Sequence, residues 1–308
     1  MKRWILAFTA SAIVMSSATA QNVGVSMSYF DDVFLTTLRQ VIDKKAQEAG
    51  VEIQFEDGQG DIGRQLNQIQ NFIAQGVDVI MLNPVDTAST PQMTNLVKEA
   101  GIPLVYFSRA PLEAETGKLP EGVYYIGADE STSGPNQAKE VARLLDGKGK
   151  VVIMMGELGD NAARLRTEGE EKVFDEYPDI EIVEKQTANF FRTEATDLMN
   201  NWLVSGVEMD AVVANNDEMA IGAIMALQQA GQDPKSMVIA GVDGTPDALS
   251  HIKAGNLDVT VFQDSQGIGE ASLDVALKVA KGEPADTFTW VPFKLVTKDN
   301  YQEFLGKN

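Results

Sequence analysis

The chain has 308 residues, no cysteine and a formal net charge of −20 at pH 7. Without cysteine there is no disulfide, no thiolate metal site and no lipid-attachment cysteine. The acid excess repels phosphate backbones and anionic lipid, which excludes nucleic acid as a partner, and the length allows two lobes with a core each.

From the amino end, Met1-Lys2-Arg3 is a basic start, Trp4–Val14 an apolar run and Ala18-Thr19-Ala20 a small-residue cleavage site. That order describes an export signal over residues 1–20, and the run is too short to span a bilayer. Cleavage after Ala20 leaves Gln21–Asn308, expected free and unanchored in a periplasm.

Downstream, apolar runs alternate with helical patterns. Strands are expected at Val23–Ser28, Val51–Glu56, Val77–Asn83, Ile102–Phe107, Val123–Ala128, Val151–Met155, Ile180–Glu184, Ala211–Ala214, Met237–Val242 and Leu257–Phe262. Between them lie 3.6-period segments such as Val33–Ala49, Ile62–Ala74 and Gly267–Ala280. Continuous apolar strands separated by helices predict parallel sheets covered on both faces. So many strands exceed one comfortable sheet, and the expected class is α/β with two doubly wound, Rossmann-like lobes. Leu112–Gly122, rich in Pro and Gly, reads as a surface loop before a first crossover near Ala128-Asp129.

Several strand ends carry candidate chemistry. Tyr29-Phe30-Asp31-Asp32-Val33-Phe34 follows the first strand. There an aspartate either caps the helix or, as Asp32, accepts a hydroxyl, while Phe34 packs in the first turn or offers a platform to the C–H face of a sugar. Gly58-Gln59-Gly60-Asp61-Ile62-Gly63 has the spacing of a dinucleotide fingerprint. It follows the second strand, however, puts Asp61 where a pyrophosphate must approach, and is read as a turn and helix entry. Gly159–Arg166 places Arg164 and Arg166 at a helix start, where a guanidinium could fork onto vicinal hydroxyls. Asn189-Phe190-Phe191 could supply a second aromatic face. Strand Ala211–Ala214 runs into Asn215-Asn216-Asp217, and Val238–Val242 ends on Asp243 before the Thr245-Pro246 helix start. The lone histidine, His251, reads as a surface residue, and neither a nucleophile elbow nor a His/Cys metal spacing occurs. These ends grip hydroxyls better than they react.

Taken together, the runs FDDVF at Phe30–Phe34, GVDVIMLNPVD at Gly76–Asp86, ANNDEMA at Ala214–Ala220, GVDGTPDAL at Gly241–Leu249 and TVFQD at Thr260–Asp264 resemble type I periplasmic binding proteins of sugar ABC transporters. The likeness covers Val23–Val296 and implies three crossovers, near Ala128-Asp129, Gln263-Asp264 and Pro292-Phe293. The lobes would be 21–128 with 264–292, and 129–263 with 293–308. Carried over by position, the family's ligand contacts fall on Asp32, Phe34, Ser108, Arg109, Arg166, Phe190, Asn216, Asp243 and Gln263. Ribose-binding relatives have aspartate at the Ser108 position. Galactose- and glucose-binding relatives have tryptophan at the Phe190 position, asparagine at the Gln263 position, and histidine and aspartate at the Asp160 and Ala162 positions. Their calcium loop has no counterpart in Leu144–Lys150, so no metal or other cofactor is implied.

Within the family, FDDVF, Gln65–Asp78, Met155–Ala163 and the long NNDEMAIGA at Asn215–Ala223 look most like the inositol- and rhizopine-binding branch. The implied ligand is a cyclitol such as myo-inositol, with galactose, glucose, xylose or ribose as the alternative. The implied partner is the permease of an ABC importer or, alternatively, a chemoreceptor, and the implied state is a monomer. Two other classes compete. A repressor core would need a DNA-binding segment where the export signal stands, and an exported glycosidase would need a defined acid and base.

Overall fold

The computed structural model describes residues 21–308; the export-signal reading falls on residues 1–20, outside the described residues. From the amino end run β1 (Asn22–Met27), α1 (Val33–Ala49), β2 (Glu52–Asp57), α2 (Ile62–Gln75), β3 (Val79–Leu82), α3 (Thr90–Glu99), β4 (Leu104–Phe107) and β5 (Val123–Gly127). Next come α4 (Glu130–Leu144), β6 (Lys148–Met155), α5 (Asn161–Phe174), β7 (Asp179–Thr187), α6 (Arg192–Val204) and β8 (Ala211–Ala214). The chain continues through α7 (Asp217–Gln229), β9 (Val238–Asp243), α8 (Pro246–Ala254) and β10 (Val259–Phe262). It ends with α9 (Ser265–Ala280), β11 (Phe288–Trp290) and β12 (Lys294–Thr297).

The strands form two six-stranded sheets, in the orders β11-β5-β4-β3-β1-β2 and β12-β10-β9-β8-β6-β7. All pairings are parallel except β12 against β10. Three passages link the sheets: β5 to α4, β10 to α9, and β11 to β12. Helix α9 packs with α1 on the first sheet, where Ile268 and Leu273 join Val25, Leu38 and Met81 in one core. The architecture is therefore the doubly wound, two-lobed one expected, with its three crossovers.

Burial explains the strand types. VIML of β3, LVYF of β4, AVVA of β8 and VTVF of β10 are buried along their whole length, as central strands with helices on both faces must be. Two strands escape the sequence reading. FTW of β11 and KLVT of β12 are short edge strands on either side of Pro292, too exposed to show an apolar run. The Leu112–Gly122 loop carries a short 3₁₀ helix at Leu112–Thr116.

Short polar side chains start the helices. Asp32, Asp61, Asp160, Asn216, Thr245 and Asp264 each accept a hydrogen bond from an amide of the first turn. Such a cap stabilises a helix by about 1 kcal/mol. Asp61 capping α2 settles the glycine-rich run: it is a tight turn, with Gly60 at φ 67°, feeding a helix. His251 lies half-buried on α8. Among the described residues no helix is long and apolar enough to cross a membrane.

Candidate functional site

In doubly wound sheets the strands' carboxyl ends and the following helix starts border a crevice. Here the two lobes turn those ends toward each other around one cavity. The first lobe contributes Asp32, Phe34, Leu35, Ser108 and Arg109. The second contributes Glu130, Asp160, Ala162, Arg166, Phe190, Asn216, Asp243 and Gln263. All nine positions singled out from the sequence are thus brought to one cavity.

The competing accounts of Asp32 and Phe34 merge. Asp32 caps α1, with Oδ1 accepting from the Leu35 amide at 2.7 Å, and also lines the cavity. Burial raises its pKa, against the pull of that amide and of Arg109. Phe34 packs in the first lobe's core while one side of it faces the cavity. Asn216 does double duty likewise: Oδ1 accepts from the Met219 amide at 3.0 Å, and Nδ2 donates to the Phe190 carbonyl at 3.1 Å. An amide nitrogen has two hydrogens, so one remains for a ligand.

The two arginines are held differently. Arg166, 4% exposed, donates Nε to Glu130 Oε2 at 2.8 Å and Nη2 to Glu130 Oε1 at 3.0 Å. Its Nη1 donates to the Asn215 carbonyl at 2.6 Å. Burial works against its charge, but Glu130, together with Asp243 and Asp160, more than offsets it and the guanidinium pKa rises. The fork expected to meet vicinal hydroxyls is thus occupied by a carboxylate, and one edge is left toward Gln263 and the cavity. Arg164, by contrast, is an exposed partner of Glu115 and Glu168. Arg109, from the first lobe, reaches two carboxylates of the second: Nη1 lies 3.0 Å from Glu157 Oε2 and Nε 3.0 Å from Asp160 Oδ2. Burial opposes its charge too, and Asp160 and Glu157 more than restore it.

Asp243 stands apart. It is 4% exposed, and among the described residues no donor is hydrogen-bonded to its carboxylate. Burial pushes its pKa well above the ordinary 3.8; Arg166 pulls it back, while Asp217 and Asp32 push it further. Its backbone is strained at φ 122°. Ser108 at φ 62° and Phe190 at φ 68° share this left-handed region. Non-glycine residues adopt it at a cost of about 1–3 kcal/mol, and such residues gather at functional sites. Phe190 is pressed against the chain: a Cβ added at Gly156 would lie 2.0 Å from its Cζ.

Further contacts join the lobes beside the cavity. The Tyr29 hydroxyl donates to Glu157 Oε1 at 2.5 Å, and its ring meets Phe191 edge-on at 5.6 Å. Thr87 donates its amide to the Gly159 carbonyl at 2.9 Å and accepts the Asn161 amide at 3.1 Å.

Sequence reasoning missed Glu130 and Glu157, and noted Asp160 only as a departure from relatives. Glu130 had a visible signal, since Asp129-Glu130 follows an apolar strand at a crossover. Glu157 had none, because its partners Tyr29 and Arg109 lie far away in sequence.

Comparison with known proteins places this architecture. Residues 23–284 match the periplasmic binding protein domain family, and the chain belongs to that family. It is 50% identical to the "Putative rhizopine-binding protein" of Rhizobium meliloti, over all of both chains. It is also similar to an ABC transporter solute binding protein of Bacillus halodurans C-125 solved with bound myo-inositol. That match has a TM-score of 0.89 and 41% identity, and covers 95% of this chain and 100% of the other. A Caulobacter myo-inositol binding protein bound to myo-inositol matches with a TM-score of 0.87 and 26% identity, covering 93% and 96%.

Proposed function

We propose that the protein is the periplasmic solute-binding component of an ABC importer, taking up a cyclitol, with myo-inositol as the best candidate, and presenting it to the permease. The observation that carries this reading is the convergence, from both lobes on one cavity, of hydroxyl-binding groups around two aromatic faces. A cyclitol ring is polar at its rim and apolar across its faces. Asp32, Asp243, Asn216, Gln263, Ser108 and the free edges of Arg109 and Arg166 suit the rim; Phe34 and Phe190 suit the faces. The inositol-bound relatives support the same ligand class.

The lobes, taken as 21–128 with 264–292 and 129–263 with 293–308, would pivot at the three crossovers. Closure would bring both outer surfaces into the position a permease reads, and the ligand would leave unchanged. An epimer that leaves one buried acceptor unpaired forfeits about 1–3 kcal/mol, roughly tenfold or more in affinity. The test is isothermal titration of refolded, ligand-stripped Gln21–Asn308 with myo-inositol, scyllo-inositol, glucose, galactose, xylose and ribose. Micromolar binding of an inositol with weak aldose binding is expected. Tight binding of an aldose instead would discard the cyclitol.

A further inference from the structure

Asn308 is remote in sequence from every residue of the cavity, yet its side chain sits behind two of them. Nδ2 donates to the carbonyls of Asp243 and Gln263, each at 2.9 Å, and lies 3.4 Å from the Gly244 carbonyl. Oδ1 accepts from the amide of Ser265 at 3.1 Å and from its hydroxyl at 2.7 Å. Turning the amide over would set Oδ1 against three carbonyls, so only this orientation satisfies the group.

The place matters as much as the count. Asp243 ends β9 and Gln263 directly follows the adjacent strand β10 of the second lobe, and the Gln263 amide itself donates to the Asp243 carbonyl at 3.0 Å. Ser265 opens α9, which packs on the first lobe. One amide therefore spans the Gln263-Asp264 crossover, with its nitrogen on the strand ends and its oxygen on the helix start. It also grips the backbone of Asp243 at φ 122°, a conformation that persists only where the surroundings over-determine it. The other side of this backbone is held independently: the Gly244 amide donates to Thr260 Oγ1 at 3.1 Å, and that hydroxyl donates to Asp217 Oδ1 at 2.7 Å.

We infer that Asn308 is a positioning residue for ligand binding, a brace that fixes the Asp243 and Gln263 side chains by clamping their backbones across the second crossover. The inference rests on the proposed solute-binding reading and goes beyond it. Without the brace, the strained Asp243 backbone relaxes and its carboxylate leaves the position from which it meets the ligand.

The experiment compares wild type with Asn308→Ala and Asn308→Asp, the latter matching the shape while removing the donor. Titration with myo-inositol is expected to show affinity reduced about tenfold in both, the scale of one or two lost hydrogen bonds. Asn308→Gln, which keeps the donor and acceptor, is expected to restore part of the loss. Added to Asp243→Asn, Asn308→Ala should cost much less than in wild type, because the group it positions is already altered. Added to Asp32→Asn, it should cost as much as in wild type. Independently of any ligand, amide exchange of Gln263 should quicken in Asn308→Ala, while that of Gly241 in β9 stays unchanged. Wild-type affinity together with unchanged Gln263 exchange would overturn the brace. A loss of equal size in the Asp243→Asn background would overturn its route through Asp243. Failure of wild type to bind any cyclitol would instead overturn the proposed function, leaving the exchange result to judge the brace.

Discussion

Replacing Asp243 by asparagine should make the protein more stable and a poorer binder at once. Asp243 is 4% exposed, its carboxylate receives no hydrogen bond among the described residues, and Asp217 and Asp32 repel its charge while Arg166 draws it. An ionised carboxylate held this deep beside two like charges costs on the order of 1–3 kcal/mol. Asparagine removes the charge at nearly constant volume, so the ligand-free protein should gain stability of that order, with the melting point rising by about 2–4 °C per kcal/mol. A charge-assisted hydrogen bond contributes about 1.5–3 kcal/mol, so affinity for the cyclitol should fall roughly 10- to 150-fold. The pH dependence separates this account from generic stabilisation. Burial raises the folded-state pKa above the ordinary 3.8, so the unfolded chain ionises first as pH increases. Wild-type stability from the protonated group is present below that value and is lost as pH climbs through the folded pKa. Asparagine loses nothing over this window. Thermal melts of both proteins from pH 4 upward should show a gap that is smallest near pH 4 and widens as pH rises. A gap independent of pH, or wild-type affinity in titration, would rule out a buried Asp243 charge that meets the ligand.

Glu170 gives a second pH signature: burial pushes its pKa up to about 8, and its Oε1 accepts from Asn215 Nδ2 at 3.1 Å. Glu170→Gln should match wild type in melts near pH 4 and exceed it by a margin that widens up to about pH 8, because the unfolded chain ionises near the ordinary 4.5 while the folded group holds its proton until the raised pKa. Gly156→Ala should push Phe190 off its seat, since the new Cβ would lie 2.0 Å from Cζ. The expected destabilisation is about 1–3 kcal/mol, accompanied by a loss of affinity in titration, and an unaffected affinity would remove Phe190 from the ligand's walls. Tyr29→Phe deletes the hydroxyl that reaches Glu157 across the lobes at 2.5 Å. Losing about 0.5–1.5 kcal/mol from the closed form should speed ligand release roughly 2- to 12-fold in stopped-flow fluorescence, with little effect on the melting point of the ligand-free protein.

What the sequence made legible follows from which interactions are local. β3 and β8 are short apolar runs next to capped helices, so periodicity alone located them, as it located α1 and α2. Asp32, Asn216 and Asp243 were legible for the same reason: Asp243 ends a strand, Asp32 and Asn216 cap the helices that follow one, and such strand ends in a doubly wound sheet meet the cleft. The groups that were missed act through distant partners. Glu130 meets Arg166 across 36 positions and Tyr29 meets Glu157 across 128, and neither spacing leaves a pattern in the chain. β11 and β12 were illegible for a third reason, because an exposed edge strand of three or four residues has no periodicity to read.

The cavity departs from the protein's own folding logic, and the departures share a cause. Arg109 and Arg166 are buried, but each is compensated by carboxylates at ion-pair distance, so their burial is compatible with a stable fold. Asp243 lacks that compensation and sits on a strained backbone besides, and Ser108 and Phe190 share the strain. A core optimised for stability alone would relieve these features through glycine at the left-handed positions and a neutral side chain at Asp243. Their retention at one place, on the walls of one cavity, is what a site built to receive hydroxyl donors requires. The acceptor must be left unpaired by the protein if the ligand is to pair it, and its backbone must be held where relaxation would carry it away. Stability and binding therefore oppose each other at these positions, whereas at Glu130, which neutralises a buried guanidinium and aims it, they run together. Glu130→Gln should accordingly lower both melting point and affinity, the opposite coupling to that expected of Asp243→Asn.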